Sequence, residues 1–272
     1  MKWKSFISLL VICNAIAWRQ VSITTRPNQP SFYFFDVGQG DSELLDFGPV
    51  EMLIDGGPPN GRALKGIERA LGRDDRYIDL VFLTHPHLDH FGGLPEIMKR
   101  YDIGKFMTNG AEGTASAYQS LPKPDLVLGE GDRVMYGDYT VNILGPDKNE
   151  RDDPDPNKTS LVMLVTGPGT SILYMGDAHA TNEDRLRKEY GVKADVLKVG
   201  HHGSRFSSSA AFVNEVKPKI AILEAGKNSY GHPAPGTVAR LEDIGARTYA
   251  TQNRGTVKIV PNGESLRIFT EK

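Results

Sequence analysis

Between residues 84 and 90 the chain reads THPHLDH, which puts three of its seven histidines and one aspartate within six positions. Imidazole and carboxylate together suit zinc, manganese or iron, and a mixed set without thiolates fits a catalytic rather than a structural zinc site. In an extended segment at a strand's end, His85 and His87 are two apart, so their rings project to one side and can grip one ion. Asp89 and His90, where the chain turns into a helix, point to a neighbouring position. One short loop can thus serve two adjacent metal sites. A single histidine is most often a hydrogen-bonded surface or core residue. Four such groups at a packed junction are costly unless something binds them.

Other donors recur in similar settings. Tyr174-Met175-Gly176-Asp177 ends an apolar strand in a carboxylate, and Val199-Gly200-His201-His202-Gly203-Ser204 ends another in a histidine pair. The two oxygens of Asp177 suit it to bridge two ions, and one of the paired histidines can complete the second site.

Positioning these groups requires a particular order of elements. SFYFFDVG, SELLDF and EMLIDGG read as three strands separated by Gly-rich turns. Residues 62–71 have helical spacing, IDLVFLT is an apolar strand, and 91–101 reads as a helix starting just past the histidine cluster. Residues 108–124 and 145–156 are polar and turn-rich, which predicts solvated loops. A second strand series follows: TVNILGP, SLVMLVTG and SILYMGD. After it come a charged helix over 182–190, the strand ADVLKVG, the helix AAFVNEV, the strand KIAILEA and a helix over 237–244. GTVKIV and SLRIFT close the chain as a hairpin turning at Pro261-Asn262-Gly263. Strands then helices, twice over, predict an α/β protein: two half-domains, each a mixed sheet with helices outside, packed as a four-layer αββα sandwich over residues 31–272.

At 272 residues, 39% hydrophobic and 24% charged, the chain can bury a substantial core. A net charge of −2 does not advertise nucleic acid or an anionic membrane, so any polyanion must be held locally. The N-terminal MKWKSFISLLVICNAIAW sets two lysines before an apolar run and ends in Ala15-Ile16-Ala17. That layout predicts a signal peptide, residues 1–17, cleaved after Ala17, and a secreted or periplasmic product with no stable membrane span. Cys13 is the only cysteine, so the cleaved chain holds no disulfide.

Taken together, HxHxDH at 85–90, the strand-end Asp55 of LIDGG, Asp177 and the late histidine resemble the metallo-β-lactamase superfamily. FFDVGQGD (34–41), DVLKVGHHGS (195–204) and NSYGHP (228–233) carry a closer resemblance, to the hydrolase domain attached to the DNA-uptake channels of natural competence. Hydrophobic spans for a channel are absent here, which predicts a domain standing alone. The resemblance implies one divalent ion, zinc or manganese, on His85, His87 and Asp177, and a second on Asp89, His90, Asp177 and His202 rather than His201. It makes Asp55 an orienting residue and places His201 and His232 in the pocket with Asp89 as catalytic groups; His179 reads as surface. Many members carry a further histidine between HxHxDH and the bridging aspartate. From Phe91 to Gly176 this chain has none, and Asn157 occupies that region, which predicts a weaker or more hydrated first site.

Two such ions activate a water for attack on a phosphoryl or acyl group. His201, His232 or Lys198 are the candidate donors to the developing charge, and one histidine the candidate acid for the leaving oxygen. The resemblance implies a secreted phosphodiesterase or nuclease acting on DNA or another phosphodiester. Phosphorylcholine esterase, lactonase and β-lactamase activities share the fold, and a non-catalytic metal-binding module is the rival from another class. Lys198, Arg205, Lys227 and Arg254 form a candidate basic rim, or simply solvated surface.

Overall fold

Residue alternation decides which layer each strand side chain enters. In β1 (Ser31–Phe34), Phe32 and Phe34 face one core while Tyr33 packs toward another. β1, β2 (Glu43–Asp46) and β3 (Glu51–Ile54) form an antiparallel meander. Helix α1 (Arg62–Leu71) then crosses to β4 (Tyr77–Leu83), which runs parallel to β3. Helices α2 (Leu88–Phe91) and α3 (Leu94–Arg100) lead to β5 (Asp102–Thr108), and α4 (Ser116–Gln119) leads to the short β6 (Leu126–Val127). The computed structural model describes residues 29–272. The proposed signal peptide and its cleavage point after Ala17 lie outside the described residues, and among these no helix is long and apolar enough to cross a membrane.

A second antiparallel series comprises β7 (Arg133–Tyr136), β8 (Tyr139–Gly145), β9 (Val162–Gly167) and β10 (Thr170–Tyr174). It is followed by α5 (Ala180–Tyr190), β11 (Val196–Lys198), α6 (Ala210–Val216), β12 (Ile220–Leu223), α7 (Pro235–Asp243) and β13 (Arg247–Ala250). Strands β10 to β13 are parallel. After α8 (Thr251–Arg254), the hairpin of β14 (Val257–Asn262) and β15 (Ser265–Thr270) returns to pair with β1.

Two sheets result, ordered β15-β14-β1-β2-β3-β4-β5-β6 and β13-β12-β11-β10-β9-β8-β7. One apolar core, including Phe32, Phe34, Phe82, Tyr174 and Ile222, fills the space between them. A second lies under α5, α6 and α7, and a third under α1 and α3. These three cores separate four layers, the αββα sandwich. The closing hairpin departs from a simple two-half reading, because it adds to the sheet of the first half.

Several boundaries differ from the sequence reading. The helix expected over 91–101 begins at Leu88, so Asp89 and His90 lie inside its first turn, and it breaks at Gly92-Gly93. Glycine is a poor helix former, and Pro95 starts a new first turn where its missing N–H costs nothing. The last hairpin turns at Gly263-Glu264, because Asn262 pairs with Ser265 and Pro261 with Leu266. Strands β5, β6 and β7 and helices α4 and α8 are too short or too polar for a periodic signal.

What matters for the site is direction. The ends of β3, β4, β10, β11 and β12 deliver Asp55, His85, Asp177, His201-His202 and Glu224 to one edge of the paired sheets. Open α/β sheets build their sites at such carboxyl ends.

Candidate metal centre

At this edge the Oδ2 atom of buried Asp177 is a hub. It lies 3.7 Å from His85 Nε2, 3.4 Å from His90 Nε2, 3.6 Å from His202 Nε2 and 3.7 Å from His201 Nε2. His87 Nδ1 is 3.1 Å from His85 Nε2, and His202 Nε2 is 3.3 Å from Asp89 Oδ2. Ligand atoms of His85, His90 and Asp177 converge within 4.8 Å of one another, as do those of Asp89, His90 and His202, and of Asp41, Asp177 and His202. His90 therefore stands in both groups, between the positions that the resemblance divides between two ions.

Three of the imidazoles, His85, His90 and His202, are aimed from behind. Asp55 accepts the Thr84 N–H at 2.8 Å and the Thr84 hydroxyl at 2.7 Å, and it receives His90 Nδ1 at 2.7 Å. His90 Nε2 is left facing Asp177. His85 Nδ1 meets the hydroxyls of Thr84 (3.1 Å) and Ser160 (3.4 Å), and Ser160 Oγ also accepts the Asp177 N–H. His202 Nδ1 is 2.9 Å from the Glu224 carbonyl and 3.0 Å from Asp41 Oδ1, leaving Nε2 to face the cluster. Such partners fix the tautomer and aim of a ligand.

The backbone is held in sparsely populated geometry here. Asp55, His201 and His202 have φ of 54°, 49° and 54°, in the left-handed region. For non-glycine residues this costs roughly 1–3 kcal/mol each and persists only where the surroundings enforce it. The His201 N–H donates to the Gly176 carbonyl at 3.0 Å, and Ser207 Oγ donates to the Gly200 carbonyl at 2.7 Å.

Electrostatically the cluster divides. Burial opposes the charged forms of His90 and His202, yet neighbouring carboxylates outweigh it: Asp177 and Asp55 raise His90, and Asp177 and Asp41 raise His202 to about 10. Burial would raise Asp177, but His202 and His90 hold it well below the usual carboxylate range. His85 is depressed by burial and by the charge on His90, and burial lowers His201 to about 4. His90 Nε2, His202 Nε2 and Asp177 Oδ1 are buried without a hydrogen-bond partner. Orphaned polar atoms of this kind are costly. A divalent cation would satisfy all three, so the residues fit the metal that the sequence implies.

The remaining expected residues fall as follows. His232 is half-buried, with its ring 5.3 Å from that of His201. Asn157 stands on a 3₁₀ turn (Pro156–Thr159) with its Oδ1 buried and unpartnered, and among the described residues no hydrogen bond joins its side chain to the cluster. From this turn it is Ser160 that reaches His85. His179 is not a free surface residue: its ring stacks on His201 at 5.2 Å, with Nε2 3.2 Å from His201 Nδ1. It stands against His201 because it precedes α5 at the site's edge.

Lys198 corrects the basic rim. Val196 points into the inter-sheet core and Leu197 toward the helices, so alternation turns Lys198 inward, where it is fully buried and paired with Asp41. It cannot reach substrate, and the exposed cations of that group are Arg205, Lys227 and Arg254. Asp41, Glu43 and Glu224 are the residues that sequence reasoning missed. The motif FFDVGQGD contained the signal: an extra Cβ on Gly40 would sit 2.3 Å from the Asp89 carbonyl, which itself accepts the Asp41 N–H at 3.2 Å. That glycine lets the Asp41 loop press against the histidine loop.

Comparison with known proteins agrees with this geometry. Residues 50–226 match the family model described as the metallo-beta-lactamase superfamily. The chain is 30% identical over 201 residues to ComE operon protein 3 of Bacillus subtilis (strain 168), covering 67% of this chain and 24% of that protein. It is 28% identical over 256 residues to Competence protein ComA of Neisseria gonorrhoeae, covering 92% and 35%. The chain thus spans about a quarter to a third of these relatives. The solved metallo-beta-lactamase fold protein YhfI of Bacillus subtilis superposes with a TM-score of 0.58 over 84% of this chain and 99% of that one, at 12% identity. On the matched residues, the paired sheets and the shared donor edge, the chain belongs to the metallo-beta-lactamase superfamily, with the donor set of a metal-dependent hydrolase.

Proposed function

We propose that the chain is a phosphodiesterase that uses two divalent ions, zinc or manganese, to cleave nucleic-acid strands. The observation that carries this reading is Asp177: one oxygen faces four imidazole nitrogens and the other is buried without a partner, as suits a carboxylate between two adjacent cations. A non-catalytic metal-binding module would use the same nitrogens, so the two readings part on metal-dependent turnover of a phosphodiester. His85, His87 and Asp177 would hold one ion, and Asp89, His90, Asp177 and His202 the other. Bound there, such ions would lower the pKa of a water toward 7 and polarise a phosphoryl oxygen.

The chain's own residues supply aim and shape. Asp55 keeps the His90 proton on Nδ1, and the Glu224 carbonyl does the same for His202. Burial lowers His201 to about 4 and also lowers His232. Each can donate an N–H to a phosphoryl oxygen. Tyr230, 74% exposed with its ring 5.8 Å from His232, offers a face on which a base can stack. The competence proteins among the relatives support DNA as the substrate, and the lysine-led N-terminal segment supports export to the periplasm or beyond.

Protein stripped of metal and reloaded with zinc or manganese should hydrolyse an activated phosphodiester and cleave single- or double-stranded DNA. Cleavage of a lactone, phosphorylcholine ester or β-lactam with phosphodiesters left intact overturns the reading. N-terminal sequencing of protein from the native host should begin at Trp18, and a full-length cytoplasmic product refutes export.

A further inference from the structure

Beside the metal centre lies a cleft of about 760 Å³ whose walls carry Arg62, Lys65, Arg69, Lys227 and Lys272. In a chain of net charge −2 this is a marked local excess of positive charge. Two carboxylates share the walls and are already engaged: Asp36 with Lys272 at 3.0 Å and Arg62 at 3.7 Å, and Glu271 with Arg69 at 2.9 Å. Among the described residues the side-chain ammonium groups of Lys65 and Lys227 have no ion-pair or hydrogen-bond partner, and both residues are exposed.

Topology puts this cleft on the catalytic edge. β1 is antiparallel to β2, and β2 to β3, so β1 points the same way as β3 and delivers Asp36 and Gly38 to the edge where Asp55 lies. The end of β12 delivers Gly226 and Lys227 just beyond Glu224. An extra Cβ on Gly226 would sit 2.4 Å from the Gly38 backbone, so these strand ends touch. Gly38, on the cleft wall, is three residues from Asp41, at most about 10 Å of chain. Asp41 Oδ1 in turn is 3.0 Å from His202 Nδ1.

We infer that this cleft binds the phosphodiester backbone of a nucleic-acid strand to one side of the linkage being cleaved. The inference rests on the phosphodiesterase reading. The path from Gly38 through Asp41 to His202, about 10 Å of loop plus two side chains, is one that several nucleotides span at the 3.4 Å rise per step of one strand. Lys65 and Lys227 neutralise phosphates, and Gln252 and Asn253, also on the wall, add neutral donors. A recessed cleft suits a strand that threads into it better than a planar lipid surface.

The test compares metal-loaded wild type with Lys65→Gln/Lys227→Gln, both substitutions being at exposed side chains outside the catalytic machinery. Fluorescence anisotropy with a labelled single-stranded phosphorothioate oligonucleotide, repeated across salt concentrations, reads binding. Turnover of bis(p-nitrophenyl) phosphate, too small to span both regions, reads the metal centre. The double variant should bind about tenfold more weakly and lose about 1.4 from the slope of log affinity against log salt, at about 0.7 per phosphate contact. Its turnover of the small diester should be unchanged. Equal affinity and slope in both proteins, no binding by the wild type, or a loss confined to phosphatidylglycerol vesicles overturns the inference. If binding falls as expected but neither protein hydrolyses any diester, the cleft stands and the phosphodiesterase reading fails.

Discussion

Two buried polar clusters lie side by side at the sheet edge and solve the same problem differently. Around Asp177 the imidazoles and carboxylates point at one another across gaps of 3.3–3.7 Å and leave orphaned atoms. Just behind, Asp41 is paired with fully buried Lys198, and burial together with neighbouring carboxylates raises Glu43 well above the usual range and Glu224 to about 8. The second cluster brings its own cation and keeps excess carboxyls protonated. The first carries its matching charge on His90 and His202, whose nitrogens would instead hold a cation supplied from outside. Burying charge is tolerable only when it is matched, so the source of the matching charge separates the reactive cluster from the supporting one.

That contrast can be broken most severely at the shared carboxylate. Asp177→Ala should lower kcat/KM for an activated phosphodiester by about 10³-fold, on the order of 4 kcal/mol of lost stabilisation. Circular dichroism should show the fold retained; activity near wild type would mean that Asp177 does not bridge. In the supporting cluster, Lys198→Met strands a buried carboxylate, and urea titration should read a loss of about 3–5 kcal/mol. Adding Asp41→Asn to it should recover a large part. If the single variant is as stable as wild type, the cluster is not neutralised by its lysine.

Metal removal should act on the first cluster only. Zinc at about 100 times its dissociation constant should add about 2.7 kcal/mol to the stability of wild type; chelation should remove that gain, and Asp177→Ala should show no such gain to remove. For the second cluster pH is the gentler probe. Glu224 has its folded-state value raised from 4.5 to about 8, first by burial and then by Asp41. The folded state therefore holds a proton that the unfolded state releases, so this contribution is full below pH 4.5 and lost as pH rises through about 8. Glu224→Gln should flatten the decline of metal-stripped stability between pH 5 and 8; an unchanged slope would assign that decline to other groups. The smallest effect is expected at Asn157, whose orphaned Oδ1 is a poorer zinc donor than imidazole. Calorimetric titration should resolve two unequal zinc affinities, and Asn157→His should tighten the weaker one by a few fold. Identical isotherms for the two proteins would place Asn157 away from the metals.

Legibility in the sequence tracked how local each feature is. His85, His87, Asp89 and His90 stand in one loop, and their spacing alone announces a metal centre. The long apolar strands and the order of strands and helices made the αββα layering readable, whereas β5 (DIGKFMT) and β6 (two residues) carry little periodic signal. Lys198 was misread because a lysine at a strand's end is usually solvated. Only the alternation of β11 against both cores turns it inward.

By itself, then, the sequence determined the donor chemistry, the sandwich and the superfamily resemblance, because residue type, spacing and periodicity are properties of short stretches. Which donors meet was decided by tertiary structure. Asp177 is separated by 87 residues from His90 along the chain, yet strands of the two packed sheets ending at one edge set Oδ2 of the one 3.4 Å from Nε2 of the other. The same packing closed the Asp41 loop over the histidine loop and sealed Lys198 from water. Burial and proximity between distant segments set charge states, and neither can be read from the residues one at a time.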